Sequence, residues 1–232
     1  ACRSPAYARR QDPRSRDGGD RATAVNEIPD FLRVANRDKP MAPQAKPLVH
    51  SYSSLHAYDD ICPYRYYRTY VKRDIKYVET PERRKGNQTH DALAYRIGGK
   101  PLPVDLLHLE KYAKPLDGTG AKAEGKVAIN SNGKVVDYFA DDVFLRGALD
   151  VTIVKEPVGY ILDWKDGKSR WVKRFELDVH AVLLRAKYPQ ATTIRAQYCF
   201  TTEDKLSELY DCSDVRATWD TIQHIVRRIN FD

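Results

Sequence analysis

Two carboxylates and an ammonium stand at the ends of neighbouring apolar segments. Asp163 and Lys165 close the run GYILDWK, and Asp150 follows VFLRGAL one segment upstream. In a strand, residues i and i+2 project from the same face, so Ile161, Asp163 and Lys165 point together. Charges at the end of a buried strand need partners, because burying them alone is costly. Two acids on adjacent strands can share a hard cation such as Mg2+ (or Mn2+), with water and phosphate oxygens completing its shell. A cation there polarises a phosphodiester and lowers the pKa of a bound water. Lys165 is placed to orient that water or to meet the charge developing on phosphate. Gly147 removes a side chain where a nucleic-acid backbone would approach. The plain alternative is an ion pair between neighbouring strands, Asp150 with Lys165. The triplet alone discriminates little: Asp74–Lys76, Glu124–Lys126, Asp166–Lys168 and Glu203–Lys205 share its spacing, but only Asp163–Lys165 ends an apolar strand.

The elements that must position these residues follow from periodicity. SYSSLHAYDDI opens with serines suited to capping, with Leu55, Tyr58 and Ile61 at helical spacing. Cys62-Pro63 interrupts it, and the tyrosine-rich YRYYRTYVKRD continues. Further helices are expected at about 86–97 and near 104–112. KVAINSNGKVVDYF reads as a hairpin turning on Asn132-Gly133 with the positive φ angles of a primed turn. Strands at 143–154 and 158–165 are joined by Glu156-Pro157. Val172, Phe175, Val179, Val182 and Ala186 mark one face of a helix that Pro189 ends. ATTIRAQYCF is a strand, and a closing helix begins after a cap at Asp214. The order implies an α/β domain with a mixed sheet.

Residues 1–46 contrast with this, being rich in Arg, Asp, Pro and Gly. They are expected to be disordered or non-native, apart from a short helical turn at IPDFLRVAN. Met41, the sole methionine, is the expected natural start, leaving 47–232 as the folded domain. The 232 residues carry a net charge of +7, with 39 basic and 32 acidic residues, 42% hydrophobic and 31% charged. That describes a globular chain, compatible with a polyanionic partner. No run of about 18 apolar residues and no signal segment is present, so a cytoplasmic protein with no membrane partner is expected. Cys2, Cys62, Cys199 and Cys212 form no C-x-x-C pairs, against a zinc ribbon or disulfide framework.

Four segments in order resemble a known family: Ser51-x-Ser53-x-Leu55-x-x-Tyr58 with Cys62-Pro63-x-x-Tyr66-Tyr67, Gly86-x-x-x-His90, Arg146-Gly147-x-x-Asp150, and Asp163-Trp164-Lys165-Asp166-Gly167-Lys168. Over roughly residues 50–200 the chain resembles the RecB-like branch of the PD-(D/E)xK nucleases, nearest to phage exonucleases and the CRISPR adaptation nucleases. The resemblance implies a restriction-endonuclease-like core, a central mixed β-sheet flanked by helices. It further implies His90, Asp150, Asp163 and the Trp164 carbonyl as Mg2+ or Mn2+ ligands and Lys165 as the catalytic lysine.

Two departures stand out. Where the family carries Gln-x-x-x-Tyr on the following helix, this chain has Glu176 and His180, still on one face. Glu176 is therefore counted with the catalytic set, to strengthen a metal site or repel phosphate, against the alternative of a solvated flank. The cysteines depart too. Cys199 and Cys212 lack the third clustered neighbour of iron–sulfur members, so no iron–sulfur cluster is expected. Glu124 reads as a solvated strand-edge acid, with a peripheral site residue as the alternative, and His50, His56, His108 and His224 carry no assigned role.

Backbone contacts to DNA are expected from Arg65, Arg68, Arg84, Lys85, Arg146, Lys168, Arg170 and Lys173, because phosphate contacts position without specifying sequence. Tyr64, Tyr66, Tyr67 and Tyr70 either stack on unpaired bases or fill the core. The expected function is a Mg2+-dependent deoxyribonuclease, an exonuclease in phage recombination or DNA processing, working beside a recombination or single-strand-annealing protein in the host-cell cytoplasm. The alternatives are a non-catalytic nucleic-acid-binding module retaining the fold and a phosphoesterase for a small substrate.

Overall fold

The computed structural model describes residues 48–76 and 78–231; the expected 1–46 segment, with Met41 and the IPDFLRVAN turn, lies outside them. Ser51 and Ser54 form a reciprocal capping box that starts α1 (Tyr52–His56), which runs on as a π-helical turn, Ala57–Ile61. Pro63 opens α2 (Pro63–Tyr66), which likewise loosens into a π turn at Tyr67–Val71. α3 (Pro81–Ile97) begins five residues earlier than periodicity indicates, because Thr80 caps it and Pro81 occupies its first turn. The expected helix near 104–112 is a 3-10 stretch, Val104–Leu109, followed by α4 (Glu110–Ala113).

The strands are β1 (Lys122–Asn130), β2 (Val135–Val136), β3 (Val143–Lys155), β4 (Val158–Lys165), β5 (Thr193–Phe200), β6 (Lys205–Leu206) and β7 (Tyr210–Asp211). They form a seven-stranded mixed sheet in the order β2-β1-β3-β4-β5-β6, with β7 on β5; β4 and β5 are parallel and the other pairs antiparallel. The chain is thus α/β with a mixed sheet flanked by helices. The hairpin after β1 differs from expectation. Gly133 has positive φ (75°) but Asn132 does not, and Gly133 N–H donates to the Asn130 carbonyl. A three-residue loop ending in a left-handed glycine replaces the primed turn.

α5 (Arg174–Lys187) crosses between β4 and β5, as a parallel pair requires. It and α6 (Val215–Phe231), whose Ala217 N–H donates to Asp214 Oδ1, cover one face of the sheet. Leu177, Val182, Leu183, Ile161, Ala196, Tyr198 and Trp219 are buried there. α3 and α4 cover the other face over Leu93, Leu109, Leu162, Trp164 and Cys199. β4 alternates cleanly between the two faces. β3 does not: Leu149 lies in the first cluster and Val151, two residues on, in the second. The strand therefore changes face at Asp150, and β1 carries a left-handed residue at the opposing position, Glu124 (φ 51°). Local re-aiming of this kind recurs beside functional sites. Among the described residues, no helix is long and apolar enough to cross a membrane.

Candidate metal centre

A cleft of about 360 Å³ opens where β3 and β4 part, lined by His90, Arg146, Asp150, Asp163, Lys165, Glu176 and His180, with Tyr52 and Tyr138 at its walls. The antiparallel ladder between the strands ends at Val151↔Leu162. Beyond it, Trp164 N–H donates to Asp150 Oδ2 at 2.8 Å. A side-chain carboxylate thus stands where the next backbone acceptor would be. The Trp164 ring is buried on the far face, so that residue meets the centre through its backbone.

Two groups of side chains have ligand atoms within 4.8 Å of one another: His90, Glu124 and Asp150, and separately Asp163, Glu176 and His180. The expected donors His90, Asp150 and Asp163 therefore divide between two groups. In the first, His90 Nδ1 lies 3.4 Å from Asp150 Oδ2. Burial raises the Asp150 carboxyl, but the His90 contact and the Trp164 N–H outweigh it and leave the pKa below the usual range. Burial lowers His90, and the Asp150 carboxylate more than offsets that, leaving it raised. Glu124 is exposed on the free edge of β1, as its reading as a solvated strand-edge acid has it, and it also stands within reach of this group. The flanking pairs Ala123↔Val151 and Gly125↔Leu149 set it opposite Asp150, and desolvation beside Asp150 raises its carboxyl.

In the second group, Asp163 is 2% exposed, and burial pushes its pKa up to about 8 against the pull of Lys165. Lys165 Nζ lies 2.7 Å from Asp163 Oδ1 and 3.1 Å from Glu176 Oε1. Burial alone would lower the ammonium, but the two carboxylates hold it charged and raise its pKa. Lys165 thus pairs along its own strand and with α5, rather than with Asp150 as the plain ion-pair alternative supposed. Tyr198, on β5, donates to the Lys173 carbonyl at 2.9 Å and reaches Glu176 Oε2 at 3.3 Å, fixing the carboxylate that fixes Lys165. The sequence pattern gives Tyr198 only a place in the strand ATTIRAQYCF. His180 Nδ1 is 3.4 Å from Asp163 Oδ2 and has no hydrogen-bond partner.

The glycine in Arg146-Gly147 serves packing. A Cβ on Gly147 would stand 2.8 Å from Leu183 Cδ1 and 3.6 Å from His180 Cδ2, so α5 fills the space expected for a nucleic-acid backbone. Gly86 lies against Asp166, whose carboxylate accepts from Thr89 and Thr201. This ties the start of α3 to the end of β4 and sets the height of His90 above the cleft.

Of the basic residues expected on DNA, Arg146 lines the cleft, its guanidinium 5.1 Å from the Tyr138 ring centre. Arg68 and Arg84 are paired with Asp74 and Glu79. Lys85 lines a separate hollow with Thr89, Asp166 and Thr201. Arg65, Lys168, Arg170 and Lys173 are exposed, with Arg170 over Trp171. Tyr66 is core, Tyr70 is partly buried, and Tyr64 and Tyr67 are exposed. Cys199 and Cys212 are buried in different clusters, and Cys62 is partly exposed.

No family model matches the chain, and no curated protein matches it. Among solved structures, the crystal structure of SSO0001 is similar at 14% identity over 79% of this chain and 78% of that one, with a TM-score of 0.35; a likeness that loose bears on neither fold nor function.

Proposed function

We propose that the chain is a divalent-metal-dependent deoxyribonuclease with the restriction-endonuclease-like core its motifs resemble, acting as an exonuclease in DNA recombination or processing. One observation carries the reading: the parting of β3 and β4 brings Asp150, Asp163 and Lys165 into one cleft beneath His90. These residue types fit a divalent ion, since the carboxylates of Asp150 and Asp163 offer the hard oxygen donors that Mg2+ or Mn2+ takes, and the His90 imidazole adds a nitrogen that Mn2+ accepts more readily than Mg2+. When bound, the ion would polarise the scissile phosphate and acidify a water.

The protein's own groups divide the remaining work. Asp150, kept ionised by His90 and the Trp164 N–H, is the permanent anion of the centre. Lys165, kept charged by Asp163 and Glu176, presents an ammonium to a phosphate oxygen or to the attacking water. Arg146 at the cleft wall suits a phosphate of the strand being cut. The test is digestion of end-labelled and circular DNA with Mg2+ or Mn2+ by wild type, Asp163→Ala and Lys165→Ala. Loss of metal-dependent cleavage in both variants is expected, with linear DNA degraded and circles spared. Equal activity in all three would sink the reading, and EDTA-insensitive binding without cleavage would favour a non-catalytic binding module.

A further inference from the structure

His180 has no task in the scheme above. It is 7% exposed, it lines the cleft, and its Nδ1 faces Asp163 Oδ2 at 3.4 Å without a hydrogen bond. A buried polar atom left unpaired is uncommon and calls for a reason. An imidazole nitrogen without a hydrogen-bond partner has a lone pair to give a metal. The ligand atoms of Asp163, Glu176 and His180 lie within 4.8 Å of one another. Lys165 occupies only one oxygen of each acid, Asp163 Oδ1 and Glu176 Oε1, which leaves Asp163 Oδ2 turned toward the unpaired nitrogen.

We infer that Asp163, Glu176 and His180 form a second divalent-cation pocket, distinct from His90, Glu124 and Asp150, and that it takes Zn2+ in preference to Mg2+. Imidazole nitrogen suits Zn2+, whereas Mg2+ keeps to oxygen ligands and several waters. The Lys165 ammonium already lies against both acids, and a dication in the pocket would bring two further positive charges to the same oxygens. Zn2+ and the Lys165 ammonium therefore compete for the same acids, and occupancy drives Lys165 off Asp163. Inhibition of cleavage by Zn2+ would follow; that consequence rests on the nuclease reading, whereas the binding does not.

Calorimetric titration of the full chain with Zn2+ tests the pocket, with thermal unfolding confirming that each variant is folded. Wild type should bind two ions. His180→Gln and Glu176→Gln should each lose one, and Asp150→Asn should lose the other. Lys165→Met should bind the second ion about tenfold more tightly, having shed a like charge; a merely structural ion pair gives no such gain. If His180→Gln fails to fold, Glu176→Gln, with its partly exposed side chain, carries the same test. A single Zn2+ in wild type, or two retained in folded His180→Gln or Glu176→Gln, would overturn the inference. Two bound ions in a protein that cuts no DNA would uphold the pocket and remove the nuclease reading; Mg2+-dependent cleavage with a single Zn2+ site would do the reverse.

Discussion

The two acidic groups flanking the end of β4 hold the same residue type in opposite states. Asp150 sits at the rim, its side chain 12% exposed beside a His90 that is 28% exposed. A backbone N–H and an imidazole act on it, and its pKa falls below the usual range. Asp163, one strand over, is 2% exposed and is pushed up to about 8 although an ammonium touches it. Desolvation, with the carboxylates of Asp150 and Glu176 beside it, outweighs a single close counter-charge there, whereas at the rim His90, the Trp164 N–H and Lys165 outweigh desolvation. The rim group is ready for a cation at neutral pH, while the deep group must release a proton to take one. A cation supplied at the rim would also lower the pKa of Asp163, so loading the first group should prepare the second.

The largest effect that would break this contrast is on activity. Asp150→Asn should reduce metal-dependent DNA cleavage by about 10³-fold, the scale of several kcal/mol attributed to metal-assisted charge stabilisation. Mg2+ affinity should fall with it, because the rim group loses its ionised ligand. Full activity in that variant would show that the rim group is not the catalytic one.

Proton release gives the next effect. Between the ordinary carboxylate range and about pH 8, Asp163 holds a proton in the folded state that the unfolded chain has already lost. Metal-free protein should therefore lose stability as pH rises through that window, and Asp163→Asn should flatten the trend. Occupancy of the deep group should weaken about tenfold for each unit that pH falls below 8, one proton being exchanged for the ion. Melting curves and Zn2+ titrations at stepped pH measure both. A wild-type melting temperature that climbs steadily from pH 5 to 8 without metal would contradict the assignment.

Packing supplies a smaller effect. Gly147→Ala places a Cβ within 2.8 Å of Leu183 Cδ1 and close to the His180 ring. It should cost about 1–3 kcal/mol of stability, as overpacked cores do, and it should disturb the deep group more than the rim. Denaturant unfolding reads the first, and Zn2+ against Mg2+ affinity reads the second.

What could be read ahead of the structure, and what could not, follows the range of the signal. β3, β4 and α5 are legible because alternation and helical periodicity are local, and the strand-end position of Asp163 and Lys165 singles them out among five triplets. The division of the expected ligands into two groups depends on the face change at Asp150 and on Glu124 standing across the ladder, which no short-range pattern records. Gly147 misleads for the same reason: its neighbour Leu183 lies on another element. The capped start of α3 was available in Thr80-Pro81 but obscured by a polar first turn. Basic residues mark surface equally well whether or not they face the cleft, so Arg146 alone among those expected on DNA reaches it.

The smallest effect concerns the backbone that holds the rim group. Arg73 and Asp204 take positive φ outside helices and ordinary strand, whereas Glu124 does so at 51° inside β1, opposite Asp150. A side chain in that conformation costs about 1 kcal/mol relative to glycine. Such strain persists where a carboxylate is needed at one place. Glu124→Gly should then raise stability by up to about 1 kcal/mol while weakening divalent-ion binding at the rim by about tenfold, and Glu124→Gln should weaken binding without the stability gain. Chemical denaturation and Mg2+ titration of the two variants separate the contributions. A glycine variant that is both less stable and unchanged in metal affinity would make Glu124 a packing residue and leave His90 and Asp150 to hold the rim ion alone.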